Sequence, residues 1–447
     1  MCPYIERSDG RVGALRVRRG TAGTVAVVSA MGMTVLLGGC GSTGSSGVTL
    51  RLVAADYGDS PANSSKKYWD SVVQAYEAQH SGVKVEVSVY SWNDVDAKVK
   101  AMVADGHAPD LAQIGAYADY AAAGKLYPAS DLLSIRTQAD FLSQLSDAGQ
   151  WNHTQYGIPF GASTRVLFYN KTLFAKAGIT TPPTTWDELA SDAKALKDKG
   201  VTYPVALPLG PEEAQAETMQ WLLSGSGSEN GGNGYTDDVG TYTIDSAQNV
   251  DTFTWLKDDL VGKGLTGPVA PGRLNRADAF AAFANGQVGM LNGHPTLIQQ
   301  AQQKGVQFGM VPMPGRTGKP RAAMGVADWM MAFKQNGHRD RIGDFLNFVY
   351  NEKNVLAFSR DYGLLPVTGS ASTAMSESDA APDKALHPFL EQLPTSELYP
   401  VGKTSWAAVA AAVKQNIGQA VAPNGDPSGV LTRLQATATA ADSSAKN

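Results

Sequence analysis

The stretch from residue 48 to residue 89 constrains the fold more than any other part of this 447-residue chain. Val48 to Ala54 has the pattern of a short strand, and the segment after it places Tyr68, Val72 and Tyr76 on one face of a helix. From Val83 to Val89, valine alternates with lysine, glutamate and serine, which is the period of a strand with one buried face. A strand, a helix and a strand in this order indicate an α/β unit built on parallel strands.

The same alternation continues along the chain. Pro109 to Ile114 has the composition of the next strand, and a helix over about 276–284 is followed by a strand over 287–292. The clearest helix begins at Thr185, because Thr185 and Glu188 have the spacing of a capping box. Strands that alternate with helices predict an α/β fold around mainly parallel sheets.

The N-terminus has the anatomy of a secretory signal peptide. Its first 19 residues contain five arginines, and residues 21–39 carry no charged side chain. Leu37-Gly38-Gly39-Cys40 follows and resembles the lipoprotein box of bacteria, in which the cysteine is lipidated and becomes the new N-terminus. We therefore expect a signal peptide at 1–39, a lipid on Cys40 and a flexible linker at 40–47. The alternative is a membrane helix, although the run is short against the roughly 20 apolar residues that span a bilayer.

Cysteine content, charge and length limit what the mature chain does. Cys2 is the only cysteine besides Cys40, so cleavage would leave no pair for a disulfide. The net charge is −5 for the full chain and −8 without residues 1–39, which hold five arginines and two acidic residues. We find no basic stripe with interleaved aromatic residues, so we expect no nucleic-acid partner. A chain of this length exceeds the size of a single core, and two lobes are expected.

Support for catalysis is weak. The sequence contains no Gly-x-Ser-x-Gly elbow, no His-x-x-x-His pair, no Cys-x-x-Cys and no phosphate-binding glycine loop with its lysine. The acidic pairs Glu212-Glu213 and Asp258-Asp259 could formally serve a glycosidase, but adjacent side chains point apart on a helix and are usually solvated. The six histidines are scattered. We therefore expect no catalytic residues, no metal site and no cofactor.

Seven local motifs occur in a fixed order between residues 106 and 367. They are Gly106-His107-Ala108-Pro109-Asp110-Leu111, Ala123-Gly124-Lys125-Leu126-Tyr127-Pro128, Tyr156-Gly157-Ile158-Pro159, Phe168-Tyr169-Asn170-Lys171, Pro183-Thr184-Thr185-Trp186-Asp187-Glu188-Leu189, Phe283-Ala284-Asn285-Gly286-Gln287-Val288-Gly289-Met290 and Tyr362-Gly363-Leu364-Leu365-Pro366-Val367. Behind a lipoprotein box, this succession resembles the extracellular solute-binding proteins of ATP-driven carbohydrate importers, the group that contains maltose-binding protein.

The resemblance implies a two-lobe fold like that of periplasmic binding proteins. Each lobe would be a mainly parallel sheet flanked by helices, with the ligand in the cleft between the lobes. The chain would cross between lobes near 163–166, 312–325 and 366–369, and these crossings would carry the hinge of a closing motion. The implied boundaries are 48–164 with 316–366 for the first lobe, 165–315 with 367–441 for the second lobe, and 442–447 for a disordered tail.

The expected ligand contacts follow from the chemistry of a sugar. A sugar presents hydroxyls around its rim and C–H groups on its faces, so its site needs flat aromatic surfaces and convergent polar side chains. The residues that lie in loops after strands, or match family positions, are Asp56, Tyr57, Tyr117, Ser163, Trp221, His294, Asp328, Trp329 and Trp406. Trp406 matches a stacking tryptophan of the family, whereas Ser163 replaces an acidic residue of maltose-binding protein and argues against assuming maltose. For each residue the alternative is an ordinary core or loop position.

The resemblance implies a monomeric receptor, lipid-anchored on the extracellular face of the cell membrane. It would capture an oligosaccharide by lobe closure and deliver it to a membrane permease. One rival hypothesis is a secreted, lipid-anchored glycoside hydrolase. A second rival keeps the receptor fold but changes the ligand to glycerol phosphate, a polyamine or a peptide, although the acidic net charge mildly disfavours phosphate esters.

Overall fold

The computed structural model describes residues 47–58, 61, 63–92, 94–225, 234–320 and 322–445. The predicted signal peptide, Cys40 and all of the predicted linker except Gly47 lie outside the described residues. Within the described ranges, no helix is both long enough and apolar enough to cross a membrane.

Strands and helices alternate along most of the described chain. The strands are β1 (Val48–Asp56), β2 (Val83–Ser91), β3 (Leu111–Ile114), β4 (Gln150–Trp151), β5 (Thr154–Gln155), β6 (Ile158–Thr164), β7 (Val166–Asn170), β8 (Tyr203–Ala206), β9 (Val288–Gly293), β10 (Phe308–Val311) and β11 (Gly325–Ala332). The α-helices are α1 (Lys66–Glu77), α2 (Val95–Ala104), α3 (Ala118–Ala122), α4 (Ile135–Asp140), α5 (Ser143–Ala148), α6 (Lys171–Ala177), α7 (Trp186–Asp198), α8 (Ala214–Gly225), α9 (Ala247–Trp255), α10 (Arg276–Ala284), α11 (Thr296–Gln303), α12 (Arg339–Val349), α13 (Glu352–Tyr362), α14 (Gly369–Ser376), α15 (Ala381–Leu390), α16 (Trp406–Asn416) and α17 (Pro427–Ala445). Shorter helical turns span Ala129–Asp131, Leu256–Val261, Pro271–Arg273, Leu393–Thr395 and Ile417–Gln419.

Two sheets organise these elements, and in each sheet all strands but one run in the same direction. The first sheet has the order β2-β1-β3-β11-β6, and only β11 is reversed, because it pairs antiparallel with both β3 and β6. The second sheet has the order β10-β7-β9-β8, and only β7 is reversed. The prediction of an α/β fold with mainly parallel sheets is therefore confirmed.

The two reversed strands are those that the chain enters directly from the other sheet. Arg165 alone separates β6 of the first sheet from β7 of the second, and residues 312–324 separate β10 from β11. A strand reached by a crossover helix starts at the far edge of its sheet and ends at the edge where ligands bind. A strand reached directly from the facing sheet starts at that binding edge, so it must run the opposite way.

The predicted lobe boundaries stay a prediction. At the predicted crossing at 366–369 and just beyond it, the chain contacts residues of the predicted first lobe. Thr368 bridges to Phe141, and the Ser370 amide donates to Asp140 Oδ1 at 2.9 Å. By contrast, α16 and α17 pack on α8 and α9, beside the second sheet.

Aromatic side chains fill the space between each sheet and its helices. In the first sheet's core, the ring of Trp69 on α1 stacks on Phe160 of β6 with 5.2 Å between centroids. In the second, Trp186, Trp221 and Trp255 form a cluster with centroids 4.5–6.2 Å apart. Trp69 and Trp186 lie deep in these cores, since neither has any exposed surface.

The C-terminus differs from its prediction. A disordered tail was expected from residue 442, but α17 continues to Ala445. Asp442 explains the difference, because its Oδ1 accepts a hydrogen bond from Ser405 Oγ at 2.8 Å and pairs with Lys403 Nζ at 2.9 Å. These contacts fix the last turn on the segment that precedes α16. Residues 446 and 447 lie outside the described residues.

The predicted capping box at the start of α7 is present and provides a test of local stability. Thr185 Oγ1 accepts from the Glu188 amide at 3.2 Å, and the Glu188 carboxylate accepts from the Thr185 amide at 3.3 Å. We expect Thr185→Ala to lower the free energy of unfolding by about 1 kcal/mol, because an amide at the helix start loses its acceptor. Denaturant unfolding measures this loss. Thr254→Ala, at an exposed position inside α9, is the matched control and should cost less. Equal losses in the two variants would contradict the capping role.

Candidate functional site

Tyr57 and Asp328 meet where β1 and β3 end beside β11. Tyr57 follows β1, and its Oη donates to Asp328 Oδ2 at 2.6 Å. Gln113 in β3 donates through Nε2 to the same Tyr57 Oη at 2.7 Å, and its Oε1 accepts from the Ala55 amide at 3.0 Å. This chain of hydrogen bonds fixes the Tyr57 ring and the Asp328 carboxyl relative to the strands.

Tyr57, which donates to this carboxyl, lies in a cluster of three half-buried aromatic rings. Tyr57 meets Trp92 edge-on at 5.4 Å between centroids and lies 5.9 Å from Tyr362 at the end of α13. Buried Phe358 supports Tyr57 from the core side at 5.0 Å. We call Tyr57, Trp92, Asp328 and Tyr362 the first wall.

Burial and like charge govern the ionisation of Asp328. Burial raises the pKa of its carboxyl to about 7; the hydrogen bond from Tyr57 opposes this rise, and the nearby charges of Asp96 and Glu213 add to it. Burial and the charge of Asp328 raise the pKa of Tyr57 well above its usual value. Tyr57 therefore remains a hydrogen-bond donor throughout the physiological range.

An alternating set of charges lies beside the second sheet. Arg165 forms an ion pair with Glu213 in the loop before α8, and Arg276 Nε at the start of α10 lies 2.6 Å from Glu213 Oε2. Arg276 also pairs with Glu212, and its guanidinium lies 5.1 Å from the centre of the Phe280 ring. The side chains of Glu213 and Arg276 keep about a quarter of their surface exposed, at 24% and 26%.

Tyr399 completes this second surface. It is partly exposed and stacks on Trp406 at 5.1 Å with an interplanar angle of 25°, while Trp406 is 8% exposed and also contacts Tyr235 at 5.0 Å. Tyr399 thus presents an aromatic ring that Trp406 supports from behind. We call Arg165, Glu212, Glu213, Arg276 and Tyr399 the second wall.

Glu213 connects the two walls electrostatically. Its charge raises the pKa of Asp328 on the first wall and, after burial, that of Tyr399 on the second. Because one carboxylate acts on both residues, both walls lie within its electrostatic reach, and we call the region between them the cleft. The cleft therefore combines aromatic rings with carboxylate and guanidinium groups, the composition of a site for a small polar ligand.

Three of the predicted ligand contacts lie in the core instead. Trp329 has no exposed surface and packs on Tyr117 at 5.3 Å. The Tyr117 hydroxyl lies 2.6 Å from the Ala148 carbonyl oxygen and 2.8 Å from that of Gln150, so it is used within the fold. Trp221 is 1% exposed and donates from Nε1 to Glu217 at 2.7 Å. None of the three offers a surface to a ligand in this structure.

Two further predicted contacts lie next to wall residues along the chain, Asp56 beside Tyr57 and Ser163 close to Arg165. The Asp56 carboxylate accepts hydrogen bonds from its own loop. Burial raises its pKa, but the hydrogen bonds from Ser64, Ser65 and Gly58 together lower it below its usual value. Ser163 is half-buried in β6, two residues before the chain crosses to the second sheet.

His294 follows β9 and is half-buried, with its ring 4.9 Å from that of Phe280. Its Nδ1 lies 3.0 Å from Thr296 Oγ1. Burial lowers the pKa of His294 well below its usual value, and the charges of Arg165 and Arg276 lower it further. The imidazole is therefore neutral, with one ring nitrogen available as donor or acceptor.

The described residues contain no group of three or more histidine, cysteine or acidic side chains placed to hold a metal ion.

Comparison with known families identifies the chain's class. The model of the bacterial extracellular solute-binding protein family matches residues 71–386. The chain belongs to this family. The family resemblance noted in the sequence is thereby confirmed, and members of this family are binding proteins.

Relatives and solved structures match nearly the whole of this solute-binding protein. A binding protein of Brucella abortus is 25% identical over 399 residues, which cover 88% of this chain and 92% of the relative. A structure of a chitin oligosaccharide binding protein has a TM-score of 0.74 at 22% identity and covers 89% of this chain and 99% of the other. A cyclic alpha-maltosyl-1,6-maltose binding protein of Arthrobacter globiformis has a TM-score of 0.71 at 22% identity and covers 89% and 100%. The two structures share the two-lobe fold.

Sequence reasoning missed much of the second wall. Glu212 and Glu213 were considered only as a glycosidase pair and set aside as solvated, yet each pairs with an arginine. The signal that could have found them is their position, since they follow β8 in the loop at the carboxyl end of a parallel strand. Tyr399 lies seven residues before the predicted Trp406, and nothing in the local pattern distinguishes the exposed ring from its support.

The raised pKa of Asp328 predicts a pH-dependent stability difference for Asp328→Asn. A carboxyl in the unfolded chain titrates near pH 4, whereas Asp328 in the folded protein has a pKa of about 7. The folded state therefore binds a proton that the unfolded state has lost between these values, and this group's contribution to stability falls as pH rises through that window.

We expect Asp328→Asn to gain stability relative to the unsubstituted protein as pH is raised from 5 to 8. Urea unfolding at both pH values measures the difference. Other carboxyls with raised pKa values, such as Glu217, titrate in both proteins and cancel. A difference that is independent of pH would show that Asp328 is ionised throughout.

Proposed function

We propose that this solute-binding protein is the receptor of an ATP-driven importer and captures an oligosaccharide outside the cell. One observation supports this assignment above others: partly exposed aromatic rings, Tyr57, Trp92 and Tyr362 on the first wall and Tyr399 on the second, accompany the polar groups of the cleft. Aromatic rings on both sides suit the apolar faces of sugar rings.

The polar groups of the cleft suit the hydroxyls at the rim of a sugar. Asp328 and Glu213 are acceptors, Arg276 is a donor, and neutral His294 serves as either. Each arginine of the second wall is already paired with a glutamate, so the wall carries little free positive charge. This balance favours a neutral polyol over a phosphate ester, because a phosphate needs uncompensated cations.

Two structural neighbours agree in ligand class. One is described as a chitin oligosaccharide binding protein and the other as a cyclic alpha-maltosyl-1,6-maltose binding protein. Their identity to this chain is low, so they support an oligosaccharide as ligand without naming which one.

Closure of the cleft would couple binding to transport. The two walls stand on different sheets, joined at Arg165 and by residues 312–324. A ligand that contacts both walls binds the closed form better and shifts the population towards it, by no more than its difference in affinity for the two forms. The closed, monomeric form would then present both lobes to a membrane permease.

A glycan panel tests this function. Because a ligand that binds only the folded state stabilises it by RT ln(1 + [L]/Kd), oligosaccharides that bind should raise the melting temperature of the purified protein. Binding without release of reducing sugar would support a receptor, whereas steady turnover would support the rival glycoside hydrolase. Stabilisation by glycerol phosphate or a peptide, with no response to any glycan, would overturn the oligosaccharide assignment.

Tyr399→Ala tests the aromatic surface of the second wall. We expect the variant to bind oligosaccharide about 2 kcal/mol more weakly, or roughly 30-fold, because a central aromatic contact is lost. Calorimetric titration measures the loss, and a denaturation curve checks that the fold survives. Tyr127→Ala is the matched control, since Tyr127 contacts β11 at Ala332, the end away from the cleft, and should leave affinity unchanged. Equal affinities in the two variants would remove Tyr399 from the site.

We further propose that the protein is held at the extracellular face of the cell membrane by a lipid on Cys40. The lipoprotein box and the signal peptide before it support this anchor. We expect Cys40→Ala to leave the membrane fraction, because stable anchoring depends on the acyl chains that the cysteine carries. Cys2→Ala, inside the signal peptide, should remain bound. Retention of Cys40→Ala in the membrane would contradict the lipid anchor and favour a spanning helix.

A further inference from the structure

Asp328 has no cationic partner within the described protein. No lysine or arginine among the described residues forms an ion pair with it, and the described charges that act on its pKa, those of Asp96 and Glu213, are both acidic. Its Oδ2 accepts from Tyr57, which is a neutral donor, and the residue keeps part of its surface exposed. A carboxylate in such surroundings is destabilised unless a positive charge reaches it.

The neighbouring side chains also favour a cation. Tyr57 donates to the carboxyl, and the rings of Trp92 and Tyr362 lie beside Tyr57 with centroids 5.4 Å and 5.9 Å from its own. Aromatic rings attract ammonium groups through their negative faces, and tryptophan does so best. The rings and the carboxylate thus point independently to the same charge on the ligand.

The positive groups of the cleft lie on the other wall and are neutralised there. Arg165 and Arg276 pair with Glu213 and Glu212, so they do not compensate Asp328. The first wall therefore carries an uncompensated negative charge, while the second wall is balanced. An amine bound in the cleft would lie with its ammonium group towards the first wall.

We propose that the natural ligand is an amino sugar oligosaccharide, and that Asp328 binds its ammonium group between the rings of the first wall. This inference rests on the proposed function and names the class of its ligand. The hydroxyls and ring faces of the sugar use the remaining polar groups of the cleft and Tyr399. Free polyamines share the ammonium group but lack the hydroxyls that the second wall suits.

Calorimetric titration of the full protein near pH 7 with matched ligands tests the proposal. The ligands are a glucosamine trimer, its N-acetylated counterpart, maltotriose and spermidine. We expect the glucosamine trimer to bind at least about 10-fold more tightly than the acetylated trimer, because a charge-assisted hydrogen bond adds about 1.5–3 kcal/mol. The comparison of the two trimers needs no variant.

Asp328→Asn locates the effect. It should reduce the preference for the free amine to about 3-fold or less, since the amide keeps the shape but not the charge. Asp70→Asn is the matched control: it removes the same charge from the outer surface of α1 and should keep the preference.

The outcomes separate this inference from the proposed function. Equal or stronger binding of the acetylated trimer or of maltotriose would overturn the amine inference and leave the oligosaccharide receptor standing. Binding of spermidine alone would overturn the sugar assignment. A preference for the amine that survives in Asp328→Asn would place the ammonium elsewhere and overturn the role of Asp328.

Discussion

The ion pair between Arg165 and Glu213 lies where the two halves of this protein meet. Arg165 is the single residue between β6 of the first sheet and β7 of the second, and its side chain is 4% exposed. A guanidinium buried at such a junction is costly unless it is paired. Glu213 supplies the pair from the loop before α8 and shares its second oxygen with Arg276. The crossing is thereby tied to the second wall, so movement at the junction would be transmitted to Glu213 and Arg276.

The directness of the crossing has a second consequence. Since one residue separates β6 from β7, β7 enters its sheet from the cleft edge and runs against its neighbours, as β11 does in the first sheet. The reversed direction of β11 determines the position of Asp328. β11 begins after the crossing and runs between β3 and β6, so Asp328 lies at the level where β1 and β3 end. Parallel strands end at the binding edge, whereas a reversed strand carries its own residues past that edge.

Local patterns predicted the fold well and the site only in part. The alternation of Val83 to Val89 and the face formed by Tyr68, Val72 and Tyr76 depend on nearest neighbours, so the sequence shows them directly. The burial of Trp329 depends on pairing with Ile114, which lies more than two hundred residues away, and no local pattern contains that register. Glu213 is a similar case.

The partners of Glu213 are Arg165 and Arg276, which lie far from it in sequence. Taken alone, the acidic pair Glu212-Glu213 has the pattern of solvated residues.

Contacts between residues that are distant in the sequence also determine the chemistry of the first wall. Burial and then the charges of Asp96 and Glu213 raise the pKa of Asp328, so that its ionised form would become favourable when a ligand supplies a positive charge. Glu213 stands on the second wall, so drawing the walls together would strengthen its electrostatic repulsion of Asp328. An ammonium group between the two carboxylates would replace this repulsion with attraction to both. The charge distribution would thus oppose closure without a cation and favour closure around one, which is the differential interaction that a population shift requires.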